Sequence, residues 1–250
     1  MSLLEVRSVS KSFGKLQAVN GLDLAIEEGE VRCIIGANGA GKTTLFNLIS
    51  GRIKPDNGKV VFAGKEISGM RPPHIVRKGL SRSFQVSNYF SNLSVFQNVR
   101  IAVLSRMRKS RIFYWPVSRL EQVNQRVSKI LEDFSLLPLA DVIADNLSHG
   151  DRRKLEISLV VAQEPRMLLL DEPTAGMNST ETESTIQLIK DLVGRMRLTL
   201  LLTEHDMKVV FSLADKITFM HYGQVVCEGL PQDIKNNRDV QEIYLGGEVC

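Results

Sequence analysis

The sequence predicts an α/β fold with a mixed, mostly parallel sheet as its core, an antiparallel β lobe beside that sheet and an inserted α-helical lobe. Three observations carry this expectation. Short apolar runs ending in turn residues recur at Val31 to Ile35, Met167 to Leu170 and Leu198 to Leu202, each followed by a segment with helical spacing. Such runs suit strands buried on both faces, as in a parallel sheet flanked by helices. Alternating segments at Leu3 to Val6, Leu22 to Ile26 and Lys59 to Phe62 leave one face wet, which places them in an antiparallel lobe. From about Leu93 to Leu159 the strand signals fade, and Leu120, Val123, Val127, Ile130, Leu131 and Phe134 fall on one helical face.

The bulk properties fit this frame. With 250 residues, 43% hydrophobic and 24% charged, the chain has the composition of an ordinary globule with a sizeable core. No repeat, low-complexity tract or Gly/Ser linker divides it, so residues 1–250 are expected to form a single domain with the helical lobe at about 90–160. The opening MSLLEVRSVSK has no long apolar stretch behind a basic cap, and the longest apolar runs are far below membrane-spanning length. A soluble, non-secreted protein is the expectation. Cys33, Cys227 and Cys250 are odd in number and scattered, which suggests neither a disulfide framework nor a metal cluster and fits a reducing cytoplasm. The net charge of +4 is modest. Arg106, Arg108, Lys109 and Arg111 nevertheless crowd ahead of Phe113, Tyr114 and Trp115, a pattern open to nucleic acid or lipid headgroups, with a solvated loop the simpler reading.

Three strand ends carry chemistry. GANGAGKT follows the strand Val31 to Ile35 and opens a helical pattern from Thr44 to Ile49, the context that a phosphate-binding P-loop requires. Along Gly36, Ala37, Asn38, Gly39, Ala40, Gly41 and on to Thr44, freed backbone N–H groups would wrap phosphates, helped by the positive end of the following helix. Lys42 would supply a point charge to the β and γ phosphates, and Thr43 a hydroxyl to Mg²⁺. A plain Gly-rich turn is the competing reading. The strand Met167 to Leu170 delivers Asp171 and Glu172 at its C-terminal end, where open α/β sheets place ligands. Asp171 offers a hard oxygen to Mg²⁺, and Glu172 can take a proton from an attacking water. Alone, this acidic pair would read as a surface turn or a helix cap. Leu198 to Leu202 ends at Thr203, Glu204 and His205, and a histidine at that edge can hydrogen-bond a γ-phosphate and orient a glutamate–water pair.

From here the residues resemble a known family, the ATP-binding cassette (ABC) ATPases, across essentially the whole chain. LSHGDRRKLE, Leu147 to Glu156, looks like the ABC signature, and its place before the second acidic strand matches the family order. The resemblance implies a P-loop ATPase of the ABC type, with ATP and Mg²⁺ as cofactors. It also implies that the signature of one subunit closes over the nucleotide on the P-loop of another, in a head-to-tail dimer. Ser148 and Gly150 begin a helix, so a hydroxyl and free N–H groups would face a γ-phosphate, although Ser148 also reads simply as a helix N-cap. The commonest pattern, LSGGQ, is altered here by His149 and Asp151. Gln85, in RSFQ, resembles the family's Q-loop glutamine, which touches Mg²⁺ and links hydrolysis to the transmembrane partner. Phe13, in KSFGKLQAV, stands where an aromatic ring stacks on adenine. DEPTAGMN, Asp171 to Asn178, resembles the Walker B and D-loop run, with Asn178 where most members carry aspartate.

The D-loop AGMN, the basic-aromatic stretch between Asn98 and Leu120, TEHDMKVVFSLADKI and DIKNNRDVQEIYLG together look like the ATP-binding subunits of branched-chain (hydrophobic) amino-acid importers. The resemblance implies a second ABC ATPase subunit, identical or related, two integral membrane permease subunits, and indirectly a solute-binding protein. It implies a place on the cytoplasmic face of the cell membrane and no nucleic-acid partner. Urea and short-amide importers share much of this pattern. A non-transport ABC protein acting on nucleic acid is the reading from another class, but such proteins usually fuse two cassettes or insert long coiled coils, and this sequence shows neither.

Overall fold

In the computed structural model the chain is described over residues 2–82, 89–106 and 117–243, with the backbone alone for 117–120. Gln85, Cys250 and most of the basic-aromatic stretch lie outside these residues. Within that stretch, Arg106 is described and pairs with Glu164 at 3.5 Å.

Two sheets form the scaffold. β1 (Ser2–Phe13), β2 (Leu16–Glu27), β4 (Asn57–Phe62) and β5 (Lys65–Glu66) make an antiparallel sheet in the order β2-β1-β4-β5. β3 (Val31–Ile35), β6 (Leu80–Arg82), β7 (Met167–Asp171), β8 (Thr199–Thr203), β9 (Lys216–His221) and β10 (Gln224–Gly229) make the second, in the order β10-β9-β3-β8-β7-β6. Its pairs are parallel except β9 with β10. The three expected parallel strands are found within a residue of their predicted bounds. β6, β9 and β10 lacked a clear signal: β6 is too short, and β10 alternates half-buried with exposed positions.

The apolar runs of the parallel strands are explained by what lies on each face. In β7, Leu168 and Leu170 enter one hydrophobic core, and Met167 and Leu169 enter another. β8 divides likewise, Leu200 and Leu202 from Leu201. The second core also holds Leu4, Val6, Leu22, Leu24 and Ile26 of the antiparallel sheet, together with Leu45, Phe46, Leu48 and Ile49 of α1 (Lys42–Ile49). α1 and the antiparallel sheet therefore cover one face of the parallel sheet.

The first core takes in the helices of the other face. α2 (Pro72–Arg77) precedes β6, and α3 (Val95–Arg106), α4 (Val117–Asp133) and α5 (His149–Val161) occupy the region where strand signals faded. On α4 and just past its end, Val123, Val127, Ile130, Leu131 and Phe134 are buried in this core, as their 3.6-residue spacing required. α6 (Ser179–Met196) and α7 (Met207–Leu213) contribute Ile189, Leu192, Val209 and Val210. α8 (Pro231–Lys235) and α9 (Arg238–Ile243) close the described chain. Cys33 and Cys227 are both free, and burial pushes the Cys33 thiol well above its ordinary pKa, which leaves it inert. No helix among the described residues is long and apolar enough to cross a membrane.

One buried cation ties strands together. Arg32 on β3, only 1% exposed, donates to Glu30 at 2.5 Å, Thr218 on β9 at 2.9 Å and Glu228 on β10 at 2.7 Å, and reaches the carbonyl of Ala25 at 3.3 Å. Removing one member of a buried pair strands the other charge. Arg32→Ala is expected to lower unfolding stability by about 3 to 5 kcal/mol. A loss under about 1 kcal/mol in urea titration would mean that solvent reaches Glu30.

Candidate functional site

The loop from Gly36 to Gly41 is fixed by close backbone approach. A methyl group on Gly36 would lie 2.2 Å from the carbonyl oxygen of Met220, and one on Gly41 would lie 2.4 Å from that of Ala18. Gly41 also has φ of 100°, which L side chains rarely adopt. These glycines let the P-loop nestle between β2 and the β9–β10 turn. α1 begins at Lys42, two residues before the apolar pattern suggested. The N–H groups of its first turn have no partner within the helix, and such groups favour an anion.

Lys42 is buried, and its ammonium donates to the carbonyls of Gly36 at 2.6 Å and Ala37 at 3.1 Å. Desolvation draws its pKa below the ordinary lysine value, and the charges of Glu172 and Asp171 oppose that shift. A cleft of about 280 Å³ brings together Phe13, Asn38 to Thr44, Glu172 and Tyr222. Phe13, at the end of β1, is half exposed there.

Asp171, at the end of β7, is 2% exposed and has both oxygens engaged. Oδ2 accepts from Arg82 Nη2 at 2.8 Å, and Oδ1 accepts the Thr203 hydroxyl at 2.6 Å. Arg82 lies at the end of β6 and Thr203 at the end of β8, the strands on either side of β7. Arg82 also donates to Asn47 on α1 at 2.7 Å and stands 5.4 Å from the Phe46 ring centroid. Burial lowers its pKa while Asp171 supports the charged form. Nothing in its surroundings in sequence marked Arg82, because a three-residue strand carries no periodicity.

The next residue, Glu172, has φ of 47°, an uncommon conformation for a side-chain-bearing residue, and its N–H is held by the Thr203 carbonyl at 3.0 Å. Its Oε1 lies 2.9 Å from His205 Nε2. Since the carboxylate only accepts, Nε2 carries the proton in this pairing. Between them in the chain, buried Glu204 accepts from the N–H and hydroxyl of Thr174 at 2.9 and 2.7 Å, which shapes the loop after Glu172.

Ser148 and Gly150 stand apart from the P-loop cleft, whose described lining contains neither. Ser148 is the N-cap of α5: its Oγ accepts from the Asp151 N–H at 3.1 Å and donates to Asp151 Oδ2 at 2.8 Å. Gly150 faces Glu181, whose carboxylate would lie 3.0 Å from an added methyl group. Arg153, one turn along α5, reaches the carbonyls of Asp171 at 3.1 Å and Pro173 at 3.3 Å and pairs with Glu156 at 2.9 Å. The helix that opens with LSHGD is thus bonded to the loop that follows β7 of its own chain.

The comparisons agree over nearly the full length. A family model described as "ABC transporter" matches residues 19–175, and one described as "Branched-chain amino acid ATP-binding cassette transporter" matches residues 224–249. This chain belongs to the ABC transporter family. It is 37% identical over 249 residues to the high-affinity branched-chain amino acid transport ATP-binding protein LivG of Salmonella typhimurium, covering 98% of each chain. BraF of Pseudomonas aeruginosa, with the same description, is likewise 37% identical over 98% of each chain. Among solved structures, a nucleotide-free ATP-binding cassette from an ABC transporter superposes with a TM-score of 0.85 at 29% identity, over 98% of this chain and 100% of that one. The ADP conformation of an ATP-binding cassette of an ABC transporter gives 0.86 at 30% identity, over 98% and 99%. The chain sits in the branched-chain amino-acid transport branch of this ABC ATPase family.

Asn178 caps α6 in a reciprocal box: Oδ1 accepts from the Glu181 N–H at 2.9 Å, and Glu181 Oε2 accepts from the Asn178 N–H at 3.1 Å. Asparagine and aspartate cap equally well. Asn178→Asp should therefore unfold within about 0.5 kcal/mol of the native chain, and Asn178→Ala about 1 kcal/mol earlier, by denaturant titration.

Proposed function

We propose that this ABC ATPase powers uptake of branched-chain amino acids from the cytoplasmic face of the membrane, as one half of a head-to-tail ATPase dimer beneath two permease subunits. A solute-binding protein would present the cargo on the far side, and the partner ATPase would be a second copy or a relative. The observation that carries the reading is the convergence of the P-loop, Asp171 and the Glu172–His205 pair at the ends of β3, β7 and β8. Full-length similarity to branched-chain transport ATP-binding proteins supports the cargo class.

Each residue has a role its surroundings favour. Phe13 offers a ring face to the adenine base. Backbone N–H groups from Gly36 to Thr44 wrap the phosphates, and Lys42 exchanges loop carbonyls for phosphate oxygens. Thr43 and Asp171 would hold Mg²⁺, a hard ion suited to a hydroxyl and a buried carboxyl group that Arg82 holds in place. When bound, the ion supplies charge neutralisation for the transferred phosphoryl group. Gln85, which lies outside the described residues, would join that site as the family's Q-loop glutamine does. Glu172 accepts a proton from the attacking water, and His205, 2.9 Å away, orients the carboxylate and meets the γ-phosphate. Ser148 and Gly150, absent from the described lining of their own cleft, would serve the nucleotide of the partner subunit. Two γ-phosphates then act as ligands that select the closed dimer, and hydrolysis releases it.

Glu172→Gln should bind ATP, dimerise in its presence and lose turnover, because the amide takes up no proton. Normal hydrolysis by that variant would remove Glu172 as the base. Lys42→Ala should weaken ATP binding by about 1.5 to 3 kcal/mol in calorimetric titration. Cargo is tested by uptake of labelled leucine and urea in source cells expressing wild type or Glu172→Gln at equal levels. Loss of leucine uptake alone fits the proposal, and loss of urea uptake alone moves the protein to the urea and short-amide importers.

A further inference from the structure

Tyr222 is the most exposed large apolar side chain among the described residues, at 79%. Its backbone also sits at φ of 43°, in the left-handed region where glycine and asparagine are the economical choices. A bulky ring placed in water on a strained turn contributes little to folding. Its setting is nevertheless rigid. The next residue, Gly223, donates its N–H to the carbonyl of Ala40 in the P-loop at 3.0 Å, and its own carbonyl accepts from the Asn20 N–H at 2.9 Å. Gly223 packs so closely on β2 that an added methyl would lie 2.7 Å from the Ala18 carbonyl oxygen. The β9–β10 turn is thereby fastened to the phosphate loop on one side and to the strand that follows Phe13 on the other. The His221 ring supports Tyr222 from behind, with centroids 4.1 Å apart.

Phe13 and Tyr222 line the same cleft from two different hairpin turns, with Leu16 beside them. We propose that Tyr222 is a second aromatic contact for the nucleobase, so that the base is gripped by rings from both turns rather than by Phe13 alone. The inference rests on the cleft being the ATP site. Aromatic rings stack on the face of any base, so this contact distinguishes a nucleotide from a bare polyphosphate without choosing between adenine and guanine. Because the turn is bonded to Ala40, a base held by Tyr222 is placed at a fixed offset from the phosphates wrapped by Gly36 to Thr44.

The test compares ATP with inorganic tripolyphosphate as ligands of the full chain, by calorimetry in the same magnesium buffer. Tyr222→Asn removes the ring and suits the left-handed backbone, and Tyr222→Phe keeps the ring. The expected result is that Tyr222→Asn weakens ATP about five- to tenfold and leaves tripolyphosphate unchanged, while Tyr222→Phe binds both as wild type does. Unchanged ATP affinity in Tyr222→Asn overturns the proposal, as does an equal loss for both ligands, which would assign Tyr222 to the shape of the P-loop. If Lys42→Ala left both affinities intact, the phosphate site itself would be misplaced, and the proposal would fall with it.

Discussion

The buried carboxylate of Asp171 holds the chemistry of this fold in register. A polar group so far from water is tolerated only when its oxygens are paired, and here a guanidinium from one neighbouring strand and a hydroxyl from the other do so. Both partners sit at strand ends, so the parallel pairing of β7 with β6 and β8 is what brings them within reach. Glu172 and His205 are the residues that leave β7 and come just after β8. Once Asp171 and Thr203 are paired, the chain has little freedom in where it sends the two groups that follow. The left-handed turn at Glu172 is the local strain this placement entails.

The same logic explains what could be read from the sequence. Strands buried on both faces must be apolar throughout, and a phosphate loop must place glycines where backbones touch, so β3, β7, β8 and the P-loop announced themselves. The face of α4 was legible because one side of a helix meets one core. Arg82, Arg153 and Glu204 were not legible. Each acts across a long sequence separation, on partners 89, 18 and 30 residues away, and no local period records such a pairing. β6 and β10 escaped notice for a related reason: a three-residue strand and an edge strand owe their form to their neighbours rather than to their own pattern. Asn178 was visible as a departure from the family's aspartate, but only its place at the head of α6 gives it a physical role, as half of a capping box.

The contacts of α5 give the signature segment a second aspect. Its N-terminus abuts Glu181 at Gly150, and Arg153 bonds the carbonyls of the segment from Asp171 to Pro173. A shift of α5 therefore acts on the loop carrying Glu172 through hydrogen bonds from the Arg153 side chain to that loop's carbonyls. Asp151, standing where the common signature has glutamine, holds both the Ser148 hydroxyl and, through Lys154 at 3.2 Å, a neighbouring cation. The hydroxyl in this chain is already oriented by an acid.

The side chains of the site are bonded to one another and to the loop that carries them. Lys42 rests on loop carbonyls, Asp171 on Arg82 and Thr203, Glu172 on His205, and Ser148 on Asp151. Binding a triphosphate is then an exchange of hydrogen bonds, in which the net gain per contact is a small difference between strong interactions. Such a site gains little from any single new bond and more from donors already aimed, because a side chain that is already bonded costs less to order. The same internal bonds enter the proposed reaction. In the proposed mechanism Glu172 would take the proton while paired with His205, and Lys42 would turn N–H donors from the loop carbonyls toward phosphate. The bonds that position these side chains are thus the ones that the proposed reaction would redistribute.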